Sequence, residues 1–547
     1  MVRLGSSSLL VLLCGAFFGC GGGNSAPLAG GGSGGVVHTV ANCGGGTPIA
    51  ASNQPFWPQW GSNPQHTGQV NTMGQNLVQK LADITYDPFV QFEKAENRGT
   101  IGDDLTVHEQ APITDGNDVY MAVKKGTYTS CASSGAWETG APCGPNAWQN
   151  VDWCEARYSW IGGTLTQQWA YESDWKPEPN GTYNRVPGFS SPGLVNWEPV
   201  FHPALANSFL YVPGAGGTVW KIDKNTGTSV SHINPFAGAG GVIAADTYVS
   251  GPLSVDANGN VFYNVIQFAD PGGGNVWLHD VVNAWLVAIA PDDTTRNVTY
   301  SSLLPGVPNP SGSQRPGINV APAIAPDGTL YTSSRAHMNA LQSYMVSVNT
   351  QTLTAKWAVP LTVLGSAAIV DEASSSPTVL PDGSVAYGVL NDTGFGKGHT
   401  VHFDAQGNML GTYSWGWDET PAVWSHNGTY SLVMKDSGPG GVFYITQLDA
   451  NLNVEWRFQN TTIDSNHPNG YEFCINMAAL DSNGNVYVNS EDGYAYEISQ
   501  GNTGTFTTPV SKMFLDVSLG AAYTPLSLGQ DGKLYTQNNG HLIVAGN

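Results

Sequence analysis

The chain has 547 residues, of which only 11% are charged, and it carries 68 glycines, 17 tryptophans and a formal charge of −22 at pH 7. This length suits one large all-β domain or several smaller ones, and low charge with abundant glycine and aromatics favours strands and turns over surface helices. The acidic balance argues against nucleic acid or an anionic membrane face as partner, because both bind through clustered Lys and Arg.

The first twenty residues are typical of an export signal. Leu9–Phe18 is apolar but too short to span a bilayer, and the small residue Gly19 precedes Cys20. This arrangement resembles a bacterial lipoprotein signal, although Phe17 stands where that signal usually carries Leu. The resemblance implies a signal peptide over 1–19, acylation of Cys20 and a place in the bacterial cell envelope. An ordinary secretory signal is the alternative, and it also implies export.

Residues 20–55 are rich in glycine and have little apolar surface to bury, which predicts a flexible tether. By the lipoprotein resemblance, Gly21 in place of Asp after the cysteine implies sorting to the outer membrane, on its periplasmic or its surface side. The folded domain is then predicted over 56–547.

Five cysteines remain outside the signal, and three of them fall in a segment at about 128–155. In an oxidising compartment this predicts an inserted loop that holds at least one disulfide. Because five is an odd number, one thiol is unpaired or Cys43 pairs elsewhere. Their spacings match no zinc pattern, and no C-x-x-C-H motif is present for covalent haem. The disulfide candidates are Cys131, Cys143, Cys154 and Cys474.

A hairpin signature recurs along the chain, as in APAIAPDGTLYTSS (321–334). An apolar run, an Asp-Gly or Asn-Gly turn and an aromatic-bearing run together predict two antiparallel strands. Between Pro112 and Pro525 the signature returns about every 59 residues. The eight copies span 109–123, 198–213, 251–265, 321–334, 376–389, 420–434, 476–490 and 524–538.

Each unit continues with two more strands, as in MVSVNTQTLTAKW (345–357), so one unit is a four-stranded antiparallel sheet. Such a sheet cannot bury both faces alone, whereas a radial stack of them can. The sequence therefore predicts an all-β, eight-bladed β-propeller, with seven blades as the alternative. The chain ends after only the third strand of the last unit, HLIVAG (541–546). The outer strand that closes the ring is therefore predicted within 77–89.

These units resemble the pyrroloquinoline-quinone-like propeller repeat of the quinoprotein alcohol dehydrogenases. Asp223, Thr226 and Gly227 match its Asp-x-x-Thr-Gly turn, which together with a tryptophan binds neighbouring blades in that family. Residues 57–69 are similar to the first segment of the superfamily. The resemblance covers 57–547 and is specific for the fold.

One face of a propeller is lined by the loops that lead into the innermost strands and by those that join the second and third strands. The family resemblance implies that this face holds quinone and calcium. Carboxylates suit Ca²⁺, for which we predict Glu372 and Glu419 as ligands, and Arg335 suits an anionic ligand. A solvated acidic rim is the alternative. The candidate ligand residues are Glu109, Glu198, Asn319, Arg335, His337, Glu372, Asp392, Asp418, Glu419 and Glu472.

Two further motifs are weak indications of chemistry. DANGN (256–260) and DSNGN (481–485) resemble fragments of a calcium loop but lack its downstream Glu, and we predict hairpin turns there. SWGWDETPAV (414–423) resembles the Trp-Asp segment of quinoprotein alcohol dehydrogenases, which implies Asp418 as a catalytic base, with Arg335 the other catalytic candidate. The adjacent cysteine pair of many such enzymes is absent, which counts against an enzyme.

Two functions follow as expectations. The first is a lipid-anchored propeller that binds a protein or polymer partner, similar in plan to the lipoprotein propeller of the outer-membrane barrel-assembly machinery. The second is a dehydrogenase that uses pyrroloquinoline quinone and Ca²⁺ to oxidise an alcohol or a sugar. We expect the binding module, with no certain cofactor.

Overall fold

The computed structural model shows a chain made almost entirely of β-strands. Within the residues that it describes, no helix is long and apolar enough to cross a membrane. Those residues are 37–45, 48–91, 110–129, 150–175, 201–236, 247–268, 281–307, 313–337, 339–361, 367–368, 375–391, 398–416, 419–438, 442–473, 475–501, 511–518 and 526–547.

Besides its strands, which are listed next, the first half of the described chain contains a short helix, α1 (Tyr300–Leu303). Its strands are β1 (Val37–Val40), β2 (Pro55–Trp57), β3 (Gln79–Thr85), β4 (Ile113–Asp115), β5 (Asp118–Thr129), β6 (Val151–Ile161), β7 (Thr164–Glu172), β8 (Ala204–Ala206), β9 (Phe209–Pro213), β10 (Val219–Asp223), β11 (Ser229–Ile233), β12 (Thr247–Val249), β13 (Ser254–Val255), β14 (Val261–Phe268), β15 (Val281–Ile289) and β16 (Thr295–Thr299).

The strands that follow are shorter at the inner positions and longer at the middle ones. They are β17 (Gln314–Arg315), β18 (Ala323–Ile324), β19 (Thr329–Ala336), β20 (Asn339–Asn349), β21 (Thr354–Pro360), β22 (Ala367–Ala368), β23 (Thr378–Val379), β24 (Val385–Asn391), β25 (His399–Phe403), β26 (Met409–Tyr413), β27 (Ala422–His426), β28 (Thr429–Gly438), β29 (Val442–Asp449), β30 (Val454–Gln459), β31 (Ala479–Leu480), β32 (Val486–Asn489), β33 (Tyr494–Ile498), β34 (Ser511–Phe514), β35 (Ser527–Leu528), β36 (Leu534–Asn538) and β37 (His541–Gly546).

These strands form eight antiparallel sheets, the blades of a propeller, which confirms the predicted fold class. Blades 1 to 4 are β2-β4-β5-β6-β7 with β1 on β5, β8-β9-β10-β11, β12-β14-β15-β16 with β13 on β14, and β17-β19-β20-β21 with β18 on β19. Blades 5 to 8 are β22-β24-β25-β26 with β23 on β24, β27-β28-β29-β30, β31-β32-β33-β34, and β35-β36-β37-β3.

The ring is closed by a strand from the N-terminal side, as predicted. β3 pairs with β37, from Thr85 opposite His541 to Gln79 opposite Gly546. The last blade is thus completed by residues more than 450 positions earlier in the chain, and β37 has no open edge.

The apolar core is divided among the interfaces between neighbouring blades. Eight clusters of buried side chains are found among the described residues, one for each pair of adjacent blades. In β24, Val385, Tyr387 and Val389 pack against blade 4, whereas Ala386 packs against blade 6. Because successive strand residues point to opposite faces and both faces are covered, such a strand is apolar at every position.

Tryptophans join neighbouring blades, as the repeat resemblance implies. The Trp169 indole donates to the Lys224 carbonyl at 3.0 Å and lies against Gly227, where a Cβ would come within 2.6 Å of the ring. The same arrangement recurs where the Trp357 indole donates to the Ala405 carbonyl at 2.9 Å. The glycine of the turn is therefore required for close approach as well as for its positive φ.

The two calcium-like motifs are hairpin turns, as predicted. In the first, Asp256 Oδ1 accepts from the backbone N–H groups of Asn258 and Asn260, both at 2.9 Å, while Oδ2 accepts from the Asn260 amide at 2.8 Å. The second repeats this pattern around Asp481. The carboxylate oxygens are thus used to close the turn.

Residues 37–45 and 48–55 lie against blade 1, although their composition predicts a flexible tether. β1 pairs with the far end of β5, from Val37 opposite Thr129 to Val40 opposite Gly126. These contacts are main-chain pairings, which an apolar pattern does not reveal. Residues 37–45 and 48–55 therefore already contact blade 1, ahead of the predicted boundary at residue 56.

A disulfide joins Cys43 to Cys154 across 111 residues. In the chain-entropy model, a crosslink that closes about 100 residues stabilises a fold by about 4.7 kcal/mol. Cys154 is thus in a disulfide, but its partner lies outside the inserted segment, and Cys154 itself lies within β6. The other candidates, Cys131, Cys143 and Cys474, and the predicted lipidation site Cys20 lie outside the described residues.

Residues 57–75, which we call the strap, cross the ring and bond to the inner part of every blade. The strap lies on the side of the ring where each innermost strand ends in its hairpin turn. We call this side the hairpin face. The opposite side, where the innermost strands begin, is the loop face. The strap contacts are Trp57 paired with Thr114, Pro58 O with Leu205 N (2.8 Å), Gln59 Oε1 with Val255 N, Pro64 O with Ile324 N (2.6 Å), Gln65 O with Val379 N (2.9 Å), Thr67 O with Val423 N (2.8 Å), Gly68 O with Leu480 N (2.8 Å) and Gln75 N with Gly532 O (2.8 Å).

We expect Gly407→Ala to destabilise the protein more than Gly383→Ala. Both glycines have left-handed φ, 86° and 85°, so an added Cβ strains the backbone equally, by about 1–2 kcal/mol. A Cβ at Gly407 would lie 2.8 Å from the Trp357 ring, whereas nothing lies within 4 Å of one at Gly383. Urea unfolding should show an extra loss of about 1–3 kcal/mol for Gly407→Ala. Equal losses at both positions would contradict the tryptophan docking.

Candidate ligand face

The starts of the innermost strands are held together by hydrogen bonds between blades. Ala321 N donates to Ser376 Oγ at 3.0 Å, Ser376 N donates to Thr420 Oγ1 at 2.9 Å, and Thr420 N donates to the Asn476 carbonyl at 2.8 Å. Asn319, a predicted ligand residue, donates its backbone N–H to the Ser250 carbonyl at 2.7 Å. This belt fixes the loop-face ends of blades 3 to 7.

Blade 4 carries a buried basic group at the loop face. The predicted residues Arg335 and His337 lie there together with Arg315, and all three side chains are at most 1% exposed. Arg315 stands opposite Arg335 in the pairing of β17 with β19. Arg315 Nε donates to His337 Nδ1 at 2.9 Å, so His337 accepts at Nδ1 and is neutral. The structure thus places Arg335 and His337 together at the loop face, next to Arg315.

The guanidinium of Arg335 bonds to its own strand end. Nε donates to the Ala336 carbonyl and Nη2 to the His337 carbonyl, both at 3.2 Å. Arg315 Nη1 likewise donates to the Pro316 carbonyl at 2.9 Å. Some of the guanidinium N–H groups predicted to bind an anionic ligand therefore bond to backbone carbonyls at the loop face.

Blades 6 and 7 carry a buried acidic group that includes the predicted Glu472. Burial raises the pKa of Glu472, and the nearby Lys435 ammonium opposes that rise. Asp436, next to Lys435, accepts from Tyr413 OH at 2.5 Å and forms an ion pair with Arg457 at 3.1 Å. These charges face partners within the fold, in contrast to the solvated rim that was the alternative.

Glu419, a predicted metal ligand, is fully buried beside the belt. Its backbone is held close to blade 5, where a Cβ on Gly388 would lie 2.5 Å from the Glu419 carbonyl oxygen and 2.2 Å from that of Gly416. Only glycine fits at position 388 without displacing the segment that carries Glu419. The position of Glu419 is therefore set by the contact between blades 5 and 6.

The remaining predicted ligand residues lie outside the described part of the chain. Within the described ranges, no group of three or more His, Cys, Asp or Glu side chains is placed to hold a metal ion. Of the predicted calcium pair, only Glu419 is described. The undescribed candidates are Glu109, Glu198, Glu372, Asp392 and Asp418.

Arg315 and Glu155 are among the buried charged residues that the sequence analysis did not single out. Glu155 lies in β6 with no exposed surface; Oε1 accepts from the Gln110 amide at 3.1 Å, while Oε2 has no partner. Burial raises the pKa of Glu155 well above its usual range, and the Gln110 hydrogen bond opposes this only in part. A Glu two positions before Arg157 in the otherwise apolar strand VDWCEARYSWI was the available signal.

Comparisons with known proteins support the fold. Among solved structures, the chain is similar to a europium-containing methanol dehydrogenase, with a TM-score of 0.52 and 11% identity over 87% of this chain and 89% of that one. It is also similar to the quinohemoprotein alcohol dehydrogenase of Comamonas testosteroni, with a TM-score of 0.55 and 12% identity over 90% and 81%. BamB of Moraxella catarrhalis matches more distantly, at a TM-score of 0.36 and 13% identity over 62% and 80%.

No protein-family model matches the chain, and no curated protein does. At 11–12% identity, the structural likeness establishes the fold alone. The protein is thus an eight-bladed β-propeller of the type found in quinoprotein alcohol dehydrogenases, and its function has to be argued from its own residues.

We expect Glu155→Gln to stabilise the protein at alkaline pH relative to acidic pH. Between the ordinary pKa of a glutamate and its raised value, the folded state keeps a proton that the unfolded state has lost, so stability falls as pH rises. Gln keeps an acceptor for Gln110 but cannot ionise. The unfolding free energy of the variant minus that of the wild type should be more positive at pH 8 than at pH 5. The increase should be about 1.4 kcal/mol for each pH unit between the ordinary and the raised pKa that falls within this range.

The control for this measurement is Glu172→Gln, because the Glu172 side chain is 50% exposed beside Lys125. Its effect on stability should be nearly the same at pH 5 and pH 8. A flat pH response for Glu155→Gln as well would show that Glu155 is not held protonated.

Proposed function

We propose that this protein is an exported, lipid-anchored propeller that binds a protein or polymer partner at its loop face. The observation that carries the proposal is the strap, which occupies the hairpin face and bonds to every blade there. Loops on the loop face can therefore vary in sequence without disturbing the strap contacts that hold the ring together. Propellers and other rigid scaffolds commonly bind through such loops.

The inward pairing of charges at the loop face supports binding rather than catalysis. Asp436 is neutralised by Arg457, Glu472 faces Lys435, and Arg335 bonds to backbone carbonyls. A catalytic acid or base needs its reactive atom within hydrogen-bond reach of a substrate. Recognition of a partner by surrounding loops needs only that the inner residues hold those loops in place.

The described chain begins on the side of the proposed binding face. The described chain starts at Val37, which pairs with Thr129 at the end of β5 that projects beyond the loop face. An acyl group on Cys20, 17 residues earlier, would be connected to the fold at this point. The proposed location is the bacterial outer membrane, and the acidic charge of −22 argues against nucleic acid as the partner.

A photo-crosslinking amino acid should trap the partner at Ile463 but not at Gln406. Ile463 is 55% exposed in the loop that follows β30 on the loop face, and Gln406 is exposed in the turn between β25 and β26 on the hairpin face. The experiment uses the full chain expressed in its cell envelope, and adducts are identified by mass spectrometry. Adducts from the hairpin-face site alone would contradict the proposal.

The same cells provide the test of anchoring. The mature protein should fractionate with the outer membrane and carry an acylated Cys20, and Cys20→Ala should release it. A membrane-free Cys20→Ala that still forms the Ile463 adduct would confirm the binding face independently of the anchor. An unacylated wild-type protein would refute the anchor.

The alternative function is a dehydrogenase that uses pyrroloquinoline quinone and Ca²⁺. The two similar structures with TM-scores above 0.5 are named as dehydrogenases, and Arg335 and Glu419 lie buried at the corresponding face. The described residues do not fit a calcium site by themselves, since they bring no three candidate ligands together. We therefore derive no reaction step through the quinone or the ion.

Adding pyrroloquinoline quinone with Ca²⁺ to chelator-treated protein separates the two functions. The binding function predicts no oxidation of alcohols or sugars with an artificial electron acceptor and no quinone-dependent rise in Tm. A ligand at a hundred times its Kd would stabilise the fold by about 2.7 kcal/mol, which a melting curve resolves easily. A rise with quinone and Ca²⁺ that Glu372→Gln with Glu419→Gln abolishes would favour the dehydrogenase.

A further inference from the structure

Five buried polar groups, four on the strap and one at the start of blade 2, each have an atom without a hydrogen-bond partner. They form what we call the strap cluster, and none is more than 3% exposed. The atoms are Gln59 Nε2, Trp60 Nε1, Ser62 Oγ, His66 Nε2 and His202 Nε2. An unpartnered buried donor or acceptor costs free energy comparable to a hydrogen bond, so five in one place require an explanation.

The members of the cluster are neighbours in space. The rings of Trp60 and His202 meet edge to face, with centroids 6.0 Å apart. A Cβ on Gly61 would lie 2.8 Å from the Cβ of His66, and Ser62 N donates to the Gln59 carbonyl at 3.2 Å. The two imidazoles also influence each other's charge, since His202 contributes to lowering the pKa of His66.

Both histidines are fixed in the same tautomer. His66 Nδ1 lies 2.8 Å from the Pro377 carbonyl, and His202 Nδ1 lies 2.8 Å from the Pro203 carbonyl. A carbonyl oxygen only accepts, so each Nδ1 carries the proton and each Nε2 presents a lone pair. Burial lowers the pKa of both imidazoles to about 4, which keeps them neutral at physiological pH.

The cluster therefore combines acceptors with donors and carries no net charge. His66 and His202 offer lone pairs, Gln59 and Trp60 offer N–H groups, and the Ser62 hydroxyl does both. A metal cation would satisfy the imidazoles but leave the N–H donors unpaired. An anion would satisfy the donors but face two lone pairs. A neutral ligand with two O–H groups, such as water, can donate to both imidazoles and still accept from an N–H group.

We propose that the strap cluster is a binding site for a neutral ligand with two O–H donors, a buried water or a small diol, that donates to the imidazoles of His66 and His202 and accepts from the indole of Trp60. The ligand links the strap to blade 2. It would hold the strap to the ring through side chains, in addition to the main-chain bond between Leu205 of blade 2 and Pro58 of the strap.

The direct test is a crystal structure of the wild-type protein at a resolution that shows waters, with anomalous data at the zinc and copper edges. We expect a peak within hydrogen-bond distance of both Nε2 atoms and no anomalous signal. Mass spectrometry of small molecules released on denaturation distinguishes a co-purified diol from water, and either one supports the proposal. An anomalous peak on the imidazoles, or a dry cluster with no density, would overturn it.

A double-mutant cycle tests the bridge in solution. His66→Phe and His202→Phe each remove one acceptor of the shared ligand, so the Tm loss of the double variant should be smaller than the sum of the single losses. The matched control combines His202→Phe with Trp424→Phe, because the Trp424 indole N–H is also buried and unpartnered but stacks on His426 instead. Additive losses in both cycles would contradict a shared ligand, and the wild-type crystal structure decides if a variant fails to fold.

Discussion

The structure depends on one long-range constraint, the closure of the ring by the segment that contains the strap and β3. A single blade is stable only when both of its faces are covered, so no blade has a complete environment until the ring is shut. The β3–β37 pairing shuts it at the outer edge, and the strap fastens the inner ends of all eight blades. Both devices lie within residues 57–85, so a short part of the chain determines whether the rest can form its interfaces.

The blades were predictable from sequence because their signals are local and repeated. An Asp-Gly turn between apolar runs needs only its neighbours to form, and eight copies left little doubt about the architecture. The closing strand followed from counting strands in the last unit. The path of residues 37–55 was not predictable, because a main-chain pairing and the Cys43–Cys154 disulfide hold it in place of an apolar face. Most of the strap contacts are likewise bonds between backbone groups, to which any sequence contributes equally.

The candidate site was predictable in position but not in environment. The described candidates Asn319, Arg335, His337, Glu419 and Glu472 lie at the loop face, because each stands where an innermost strand begins or a second strand ends. Their burial was unforeseen, because polar residues in loops ordinarily indicate solvent. Arg315 and Glu155 escaped for a related reason: one stands in a two-residue strand, and the other interrupts an apolar strand that the pattern treats as uniform.

Buried charge in this protein specifies where chain segments lie. Between blades 1 and 2, Arg157 pairs with Asp118 at 3.1 Å and Lys224 pairs with Asp115 at 2.7 Å, all nearly without exposure. Each carboxylate also accepts a backbone N–H from the incoming chain, Asp118 from Ser52 at 2.6 Å and Asp115 from Gln54 at 2.5 Å. A buried ion pair gains little net stability over an apolar pair, but a wrong placement would leave its charges unpaired at a cost of several kcal/mol. The charges thus allow one approach for the residues that lead into the strap, and the closure of the whole ring begins from that placement.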